Sequence, residues 1–303
     1  MSANEAILDT LSASFLHQGS DRDKTLDSTF SHRIELCRAW GVGDKTPLQV
    51  LDVGCGQGES TAVLAYFVGK SGHVTGLDPA EPSYGAPFTL QQSQDYLKAS
   101  SLGGRVSFVR DNLPDFLDSD AYHSFDAAVF CHSLWYFSTR DLIRSQFAAL
   151  VKARFVRVFL AEYTFENDAL EQRPHQLAAR AQMRLHALKK QDAGGMKPGE
   201  PNIRGALEME ELLKLAQSAG WSVARRGVVS PPEAMRDGYW EAKIVTSRSF
   251  QEGVLSQGFS NAQEESVLAF VPQIEQAMEQ LEYVGERVTT MDVAWAVLER
   301  QQV

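Results

Sequence analysis

Three acids in the first half of the chain stand where a ligand would meet them. Asp52 lies in VLDVGCGQGES, Asp78 in HVTGLDP and Asp111 in RVSFVRDN, each at or near the end of a short apolar run. Glycines 54, 56 and 58 follow the first acid and mark a tight turn where backbone approaches something closely. A dinucleotide fingerprint would need its third glycine where Glu59 stands. Asp52 and Glu59, flanking the turn, would repel a pyrophosphate at a helix N-terminus, so the expected ligand carries no phosphate. Asp78 is suited to accept both hydroxyls of a ribose, and Asp111 lies beside the expected adenine pocket.

These acids need a scaffold that brings strand ends together. The run before Gly54 reads as a buried parallel strand and Ser60 to Val68 as an apolar helix, giving strand, tight turn and helix. His73–Asp78 and Arg105–Asp111 read as the second and third strands, so a doubly wound parallel sheet is expected, with its ligand crevice outside the strand carboxyl ends. Ser124–Cys131 reads as a fourth strand that delivers His132-Ser133-Leu134-Trp135-Tyr136-Phe137 to the rim, and Arg154–Ala161 as a fifth that ends in Glu162-Tyr163.

At these residues the chain resembles the class I S-adenosylmethionine-dependent methyltransferases, whose first motif is matched by LDVGCGQGES and whose ribose acid is matched by Asp78 in GLDP. The longer run LDPAEPSYGAPFTLQQSQ is similar to that of fungal small-molecule methyltransferases of the secondary-metabolite type. The resemblance covers roughly residues 25 to 165 well and the remainder weakly. It implies a Rossmann-like α/β fold with a seven-stranded, mostly parallel sheet. It also implies S-adenosyl-L-methionine as methyl donor and S-adenosyl-L-homocysteine as product. Around that donor it places Arg33, suited to pair with the methionine carboxylate, together with Asp52, Gly54, Cys55, Gly56, Asp78, Pro79, Asp111, Asn112 and Cys131.

Displacement of a methyl group from a sulfonium needs orientation first and a base second. His132 is the first candidate for that base, because it follows the fourth strand directly and imidazole titrates near neutral pH. Glu162 is the weaker candidate. Trp135, Tyr136 and Tyr163 suit contacts to the acceptor through stacking and a hydroxyl, and Arg204 closes a loop above the same face. His17 and Gln18, in a polar loop after a first helix over residues 4–16, are read as facing the donor from a lid. The seven histidines are scattered, and no metal is expected.

The chain is expected to divide into an N-terminal helical lid (1–45), a donor-binding core (46–163), a substrate cap (164–206), the end of the sheet (207–250) and C-terminal helices (251–303). Trp221–Ser230 and Tyr239–Thr246 are expected as the sixth and seventh strands, and Thr290–Arg300 as a last helix around Trp295. A formal net charge of -10 favours a small-molecule acceptor over nucleic acid or an anionic membrane. Without a basic, apolar leader in MSANEAILDT or a long apolar run, a cytoplasmic monomer or homodimer is expected. The leading function is methylation of oxygen or nitrogen on a small, secondary-metabolite-like acceptor. The alternatives keep the donor without methyl transfer, as a cyclase, an isomerase or a regulatory binding protein; a dinucleotide enzyme is a further one.

Overall fold

The computed structural model describes residues 3–18, 24–43, 48–119, 124–189 and 202–301. Most of the polar loop after His17-Gln18 and the glycine- and proline-rich loop before Asn202 lie outside the described residues. The elements run α1 (Ala3–Ser14), α2 (Lys24–Trp40), β1 (Gln49–Val53), α3 (Glu59–Phe67), β2 (His73–Leu77), α4 (Leu90–Ala99), β3 (Val106–Val109), α5 (Leu113–Leu117), β4 (Ala127–Cys131), α6 (Arg140–Lys152) and β5 (Arg157–Tyr163). They continue with α7 (Arg173–Leu188), α8 (Met209–Ser218), β6 (Trp221–Val229), α9 (Asp237–Thr246), α10 (Arg248–Leu255), α11 (Asn261–Leu268), α12 (Phe270–Tyr283) and β7 (Val293–Arg300).

The seven strands form one sheet in the order β3-β2-β1-β4-β5-β7-β6. β1 to β5 are parallel, and β7 pairs antiparallel with both β5 and β6. The order reverses between β1 and β4, which run side by side from Val50 opposite Ala127 to Asp52 opposite Val129. That switch point opens a crevice at the strand carboxyl ends. Side chains alternate between two cores. Val50, Val129 and Phe159 face the layer of α1, α2 and α3, while Leu51, Phe130 and Leu160 face the layer of α6 and α8. Each large side chain so buried stabilises the fold by about 1.5–3 kcal/mol.

The end of the chain differs from the sequence reading. Tyr239–Thr246, expected as the seventh strand, is most of helix α9, and Val293–Arg300, expected as a helix, is the seventh strand. The residues of β7 alternate between the two cores, so both faces are buried and the segment has the near-continuous apolar look of an interior strand. In YWEAKIVT, aromatic and β-branched residues suggest a strand, but Ala242 and Val245 lie on one helical face and pack against Ala178, Ala181 and Leu185 of α7. α7 joins α9 to α12 in a separate apolar cluster, and β7 returns to the sheet only after them. Among the described residues no helix is long and apolar enough to cross a membrane.

Candidate functional site

The turn after β1 is held in place by the end of β2. Gly54 and Cys55 both donate their backbone N–H to Leu77 O, at 2.8 and 3.2 Å. Asp78 closes the same turn, with Oδ2 accepting from Gly56 N and Oδ1 from Ala80 N, each at 2.9 Å. Each carboxylate oxygen keeps a further lone pair for an incoming hydroxyl. Gly54 has φ +76°, and a Cβ there would come within 2.6 Å of Ser133 Cβ, so the turn and the end of β4 touch through a missing side chain. Gly56, at φ +53°, differs: a Cβ there would meet nothing within 4 Å and would project into open space. An open face on a backbone locked from behind is what a ligand laid across the turn requires.

The other residues expected around the donor take different positions. Asp52 is buried and turns Oδ2 towards Thr61 Oγ1 of α3 at 2.7 Å. Burial pushes its carboxyl up to about 7, against the opposing Thr61 bond and the Arg33 charge. Cys55 and Cys131 are buried thiols, the latter raised to about 12 by burial. Pro79 is exposed and Asp111 half-buried, both just past strand ends. Asp111 Oδ1 accepts from Asn112 N, while Asn112 spends its side-chain oxygen on the N-cap of α5 through Asp115 N. Arg33, on α2, donates to Ser60 Oγ and Thr29 O, both at 3.3 Å, and has no carboxylate within ion-pair distance among the described residues. A partly buried guanidinium without an anion is a place for one. The residues of the turn, Asp78 and Arg33 thus fit a donor that brings hydroxyls and a carboxylate.

Next to this crevice is a cavity of about 160 Å³, lined by Trp135, Tyr136, Glu162, Tyr163, Ile203, Asp237, Trp240 and Glu241. Its walls come from the ends of β4 and β5, the segment before α8, and α9. Glu162, fully buried, uses Oε2 to accept from Leu134 N and Trp135 N and Oε1 to accept from Tyr163 N. It fixes the short turn Leu134–Tyr136 that carries the aromatic wall. Trp135 is also tied down, its indole N–H donating to Leu207 O. Tyr163 donates its hydroxyl to Asp237 Oδ2 at 2.7 Å, and burial followed by Asp237 raises that phenol well above its ordinary range. Arg204 donates its backbone N–H to Trp135 O and has a buried Nε without a partner among the described residues. The long loop after β2 reaches the same wall, where Tyr84 donates to Asn202 Oδ1. His17 is half-buried, with Nδ1 likewise unpartnered.

His132 is held in a left-handed conformation, φ +56°, which costs a non-glycine residue about 1–2 kcal/mol. Its ring nitrogens do not face the cavity. Nε2 meets Nε2 of His32 at 3.0 Å, and Nδ1 lies 3.7 Å from Glu162 Oε1, buried and without a hydrogen bond. The ring packs on Tyr163 with centroids 4.5 Å apart. Burial, then His132 and Arg33, lower the pKa of His32. The sequence reading missed His32, Asp237 and Glu241. His32 sits inside a helix pattern with nothing to mark it; Glu241 lies in the segment read as a strand, and Asp237 two residues before it.

The match to known proteins agrees with the geometry. Residues 50–154 match the family described as Methyltransferase domain. Two proteins of Diaporthe leptostromiformis, Methyltransferase phomM' and Methyltransferase phomM, are 35% and 34% identical to this chain, covering 97% of it and 89% of their own length. The chain belongs to the class I S-adenosylmethionine-dependent methyltransferases. Among solved structures, this methyltransferase is similar to a cyclopropane-fatty-acyl-phospholipid synthase-like protein from Lactobacillus casei, at 28% identity and a TM-score of 0.80, covering 97% of this chain and 99% of that one. It shares its fold with the [4+2]-cyclase SpnF, at 14% identity, a TM-score of 0.50, and coverage of 99% of this chain and 93% of the cyclase.

Proposed function

We propose that this methyltransferase moves a methyl group from S-adenosylmethionine to an oxygen or nitrogen of a small, secondary-metabolite-like molecule held in the aromatic-walled cavity. The observation that carries this reading is the pairing of two sites at adjoining strand ends: an open glycine turn closed from behind by Asp78, and a cavity walled by Trp135, Tyr136, Tyr163 and Trp240. In this reading Asp78 binds the ribose hydroxyls, Arg33 takes the methionine carboxylate, and Asp111 and the backbone at Asn112 flank the adenine. Gly54, Cys55, Gly56, Pro79 and Cys131 shape the donor's surroundings, and Asp52 supports the turn through Thr61. The bound donor supplies an electrophilic methyl on a sulfonium, whose loss leaves a neutral thioether.

The protein's own contribution is mostly orientation. Glu162 holds the Leu134–Tyr136 turn by two backbone N–H groups, so the aromatic wall has a fixed place relative to the crevice. Holding two reactants in a near-attack arrangement accounts for about 7–11 kcal/mol of barrier lowering in favourable cases. Arg204, with its unpartnered Nε, and the tyrosines supply polar handles for the acceptor. His132, bound to His32 through Nε2, supports Tyr163 from below. The test is transfer of label from tritiated S-adenosylmethionine into a fungal metabolite extract. A labelled small molecule, absent with Asp78→Ala, is the expected result. Tight donor binding with no labelled product from any extract would contradict methyl transfer and favour a donor-binding protein without it.

A further inference from the structure

Four carboxyl or imidazole groups stand near the cavity, and they differ in what is left free. Glu162 has both oxygens committed to backbone N–H groups. Asp237 receives the Tyr163 hydroxyl on Oδ2, which ties this carboxyl to the aromatic wall, and no donor among the described residues is seated on Oδ1. His132 points its nitrogens at His32 and Glu162. Glu241 is likewise held through one oxygen, but by a neutral amide of α7 rather than by a tyrosine of the aromatic wall. Only Oε2 is engaged, by the Gln182 side-chain amide at 2.5 Å, and no donor among the described residues is seated on Oε1. Gln182 is itself oriented, because its oxygen accepts from Ile203 N, and Ile203 lines the same cavity. The carboxyl is thus fixed by one oxygen while the residue faces the cavity.

We infer that Glu241 takes the proton that the acceptor must lose when it is methylated. This rests on the methyl-transfer reading above. The acceptor's N–H or O–H heteroatom forms a bond to the methyl carbon, and the carbon–sulfur bond breaks with its electron pair going to sulfur. The acceptor's proton passes to Glu241 Oε1. The products are a methylated acceptor, a neutral thioether and a protonated carboxyl that returns its proton to solvent. The acceptor is accordingly a molecule whose reacting atom bears a hydrogen, presented to the α9 wall.

The surroundings suit a base that works near neutrality. Burial pushes Glu241 up to about 7, with the Gln182 bond opposing and the charge of Asp237, one turn earlier on α9, adding to the rise. The other titratable groups on this side are Tyr136 and Glu162 at the ends of β4 and β5, Tyr84 in the loop after β2, Arg204 before α8, and His175 on α7. α10 and α12 meet α9 through apolar residues, among them Val254 and Ile274. A base whose affinity for protons matches the working pH is the most effective, and such groups contribute about 10² to 10⁴ in rate.

The experiment compares wild type, Glu241→Gln and Glu241→Asp as full chains. It measures donor affinity by calorimetry and label transfer from S-adenosylmethionine into the extract product from about pH 5 to about pH 9. Donor affinity should stay within about twofold in all three, because Glu241 lies outside the donor cradle. Wild-type transfer should climb with pH and level off near 7, the limb set by Glu241. Glu241→Gln should transfer about 10² to 10⁴ times more slowly with that limb gone, and Glu241→Asp should restore the limb at a reduced rate. Infrared difference spectra at pH 6 should show protonated-carboxyl absorption that is weaker in Glu241→Gln than in wild type, Asp52 supplying what remains in both. Transfer by Glu241→Gln at the wild-type rate with the limb intact would overturn this role alone. Donor binding without any labelled product in wild type would overturn the methyl-transfer reading and this role with it.

Discussion

Replacing Asp52 by Asn should make the protein more stable relative to wild type as pH rises, and the size of the change follows from burial. Asp52 is 1% exposed, and its carboxyl is pushed from the ordinary 3.8 up to about 7, burial being the largest cause. In the unfolded chain the same group ionises near its ordinary value. Between about pH 4 and about pH 7 the folded protein therefore keeps a proton that the unfolded chain has lost, and stability falls as pH rises through that window. At about 1.4 kcal/mol for each tenfold in proton affinity, the total is on the order of 4 kcal/mol. Asn still accepts the Thr61 hydroxyl, and the cost of placing its amide nitrogen there does not depend on pH. Glu241 tilts stability in the same direction in both proteins, so only the difference between them isolates Asp52. Urea unfolding at half-unit steps across the window, without donor, gives that difference. It should grow in favour of Asp52→Asn up to about pH 7 and then level off. A difference that stays flat across the window would refute the buried, proton-holding carboxyl.

Two glycines of the turn should respond in opposite ways. Gly54→Ala puts a Cβ 2.6 Å from Ser133 Cβ at φ +76°, and should cost about 1–3 kcal/mol in denaturant unfolding. Gly56→Ala meets nothing within 4 Å, so it should lose only about 1 kcal/mol of stability while weakening donor affinity at least about tenfold in calorimetry, by filling the open face. Arg33→Gln should leave the fold intact and weaken donor affinity by about tenfold or more, since the amide cannot replace the charge offered to a carboxylate; unchanged affinity would remove Arg33 from the donor site. His132→Ala should leave donor affinity within about twofold while lowering transfer through the loss of support for Tyr163. An undiminished rate would assign the His32–His132 contact to packing alone.

The donor half of the molecule was legible because its signals are local. The turn at Gly54, Gly56 and Gly58, the apolar runs and the acids at strand ends lie within a few residues of one another, and the sheet order of such folds follows from the parallel crossovers. Asp78 illustrates this, since its place just past β2 puts it on the turn. Asp52 shows the limit. Its position was legible, but its direction was not: alternation along β1 sends it into the α3 layer beside Thr61. The acceptor half depends on contacts between distant segments. Tyr163 meets Asp237 and Gln182 meets Glu241 only after α7 and α9 have packed beside the sheet, and His32 meets His132 only once α2 lies against it. The exchange of α9 and β7 has the same origin, because an interior strand and a buried helix are equally apolar over eight to ten residues and packing alone separates them.

The central claim, that an adenosyl sulfonium lies across the β1–α3 turn beside an acceptor cavity, is tested most directly by a crystal structure with S-adenosylhomocysteine. The account predicts ribose hydroxyls on Asp78, the amino-acid carboxylate on Arg33, and the sulfur directed towards Tyr136 and Tyr163. Adenosine bound elsewhere, or a ribose out of reach of Asp78, would contradict it.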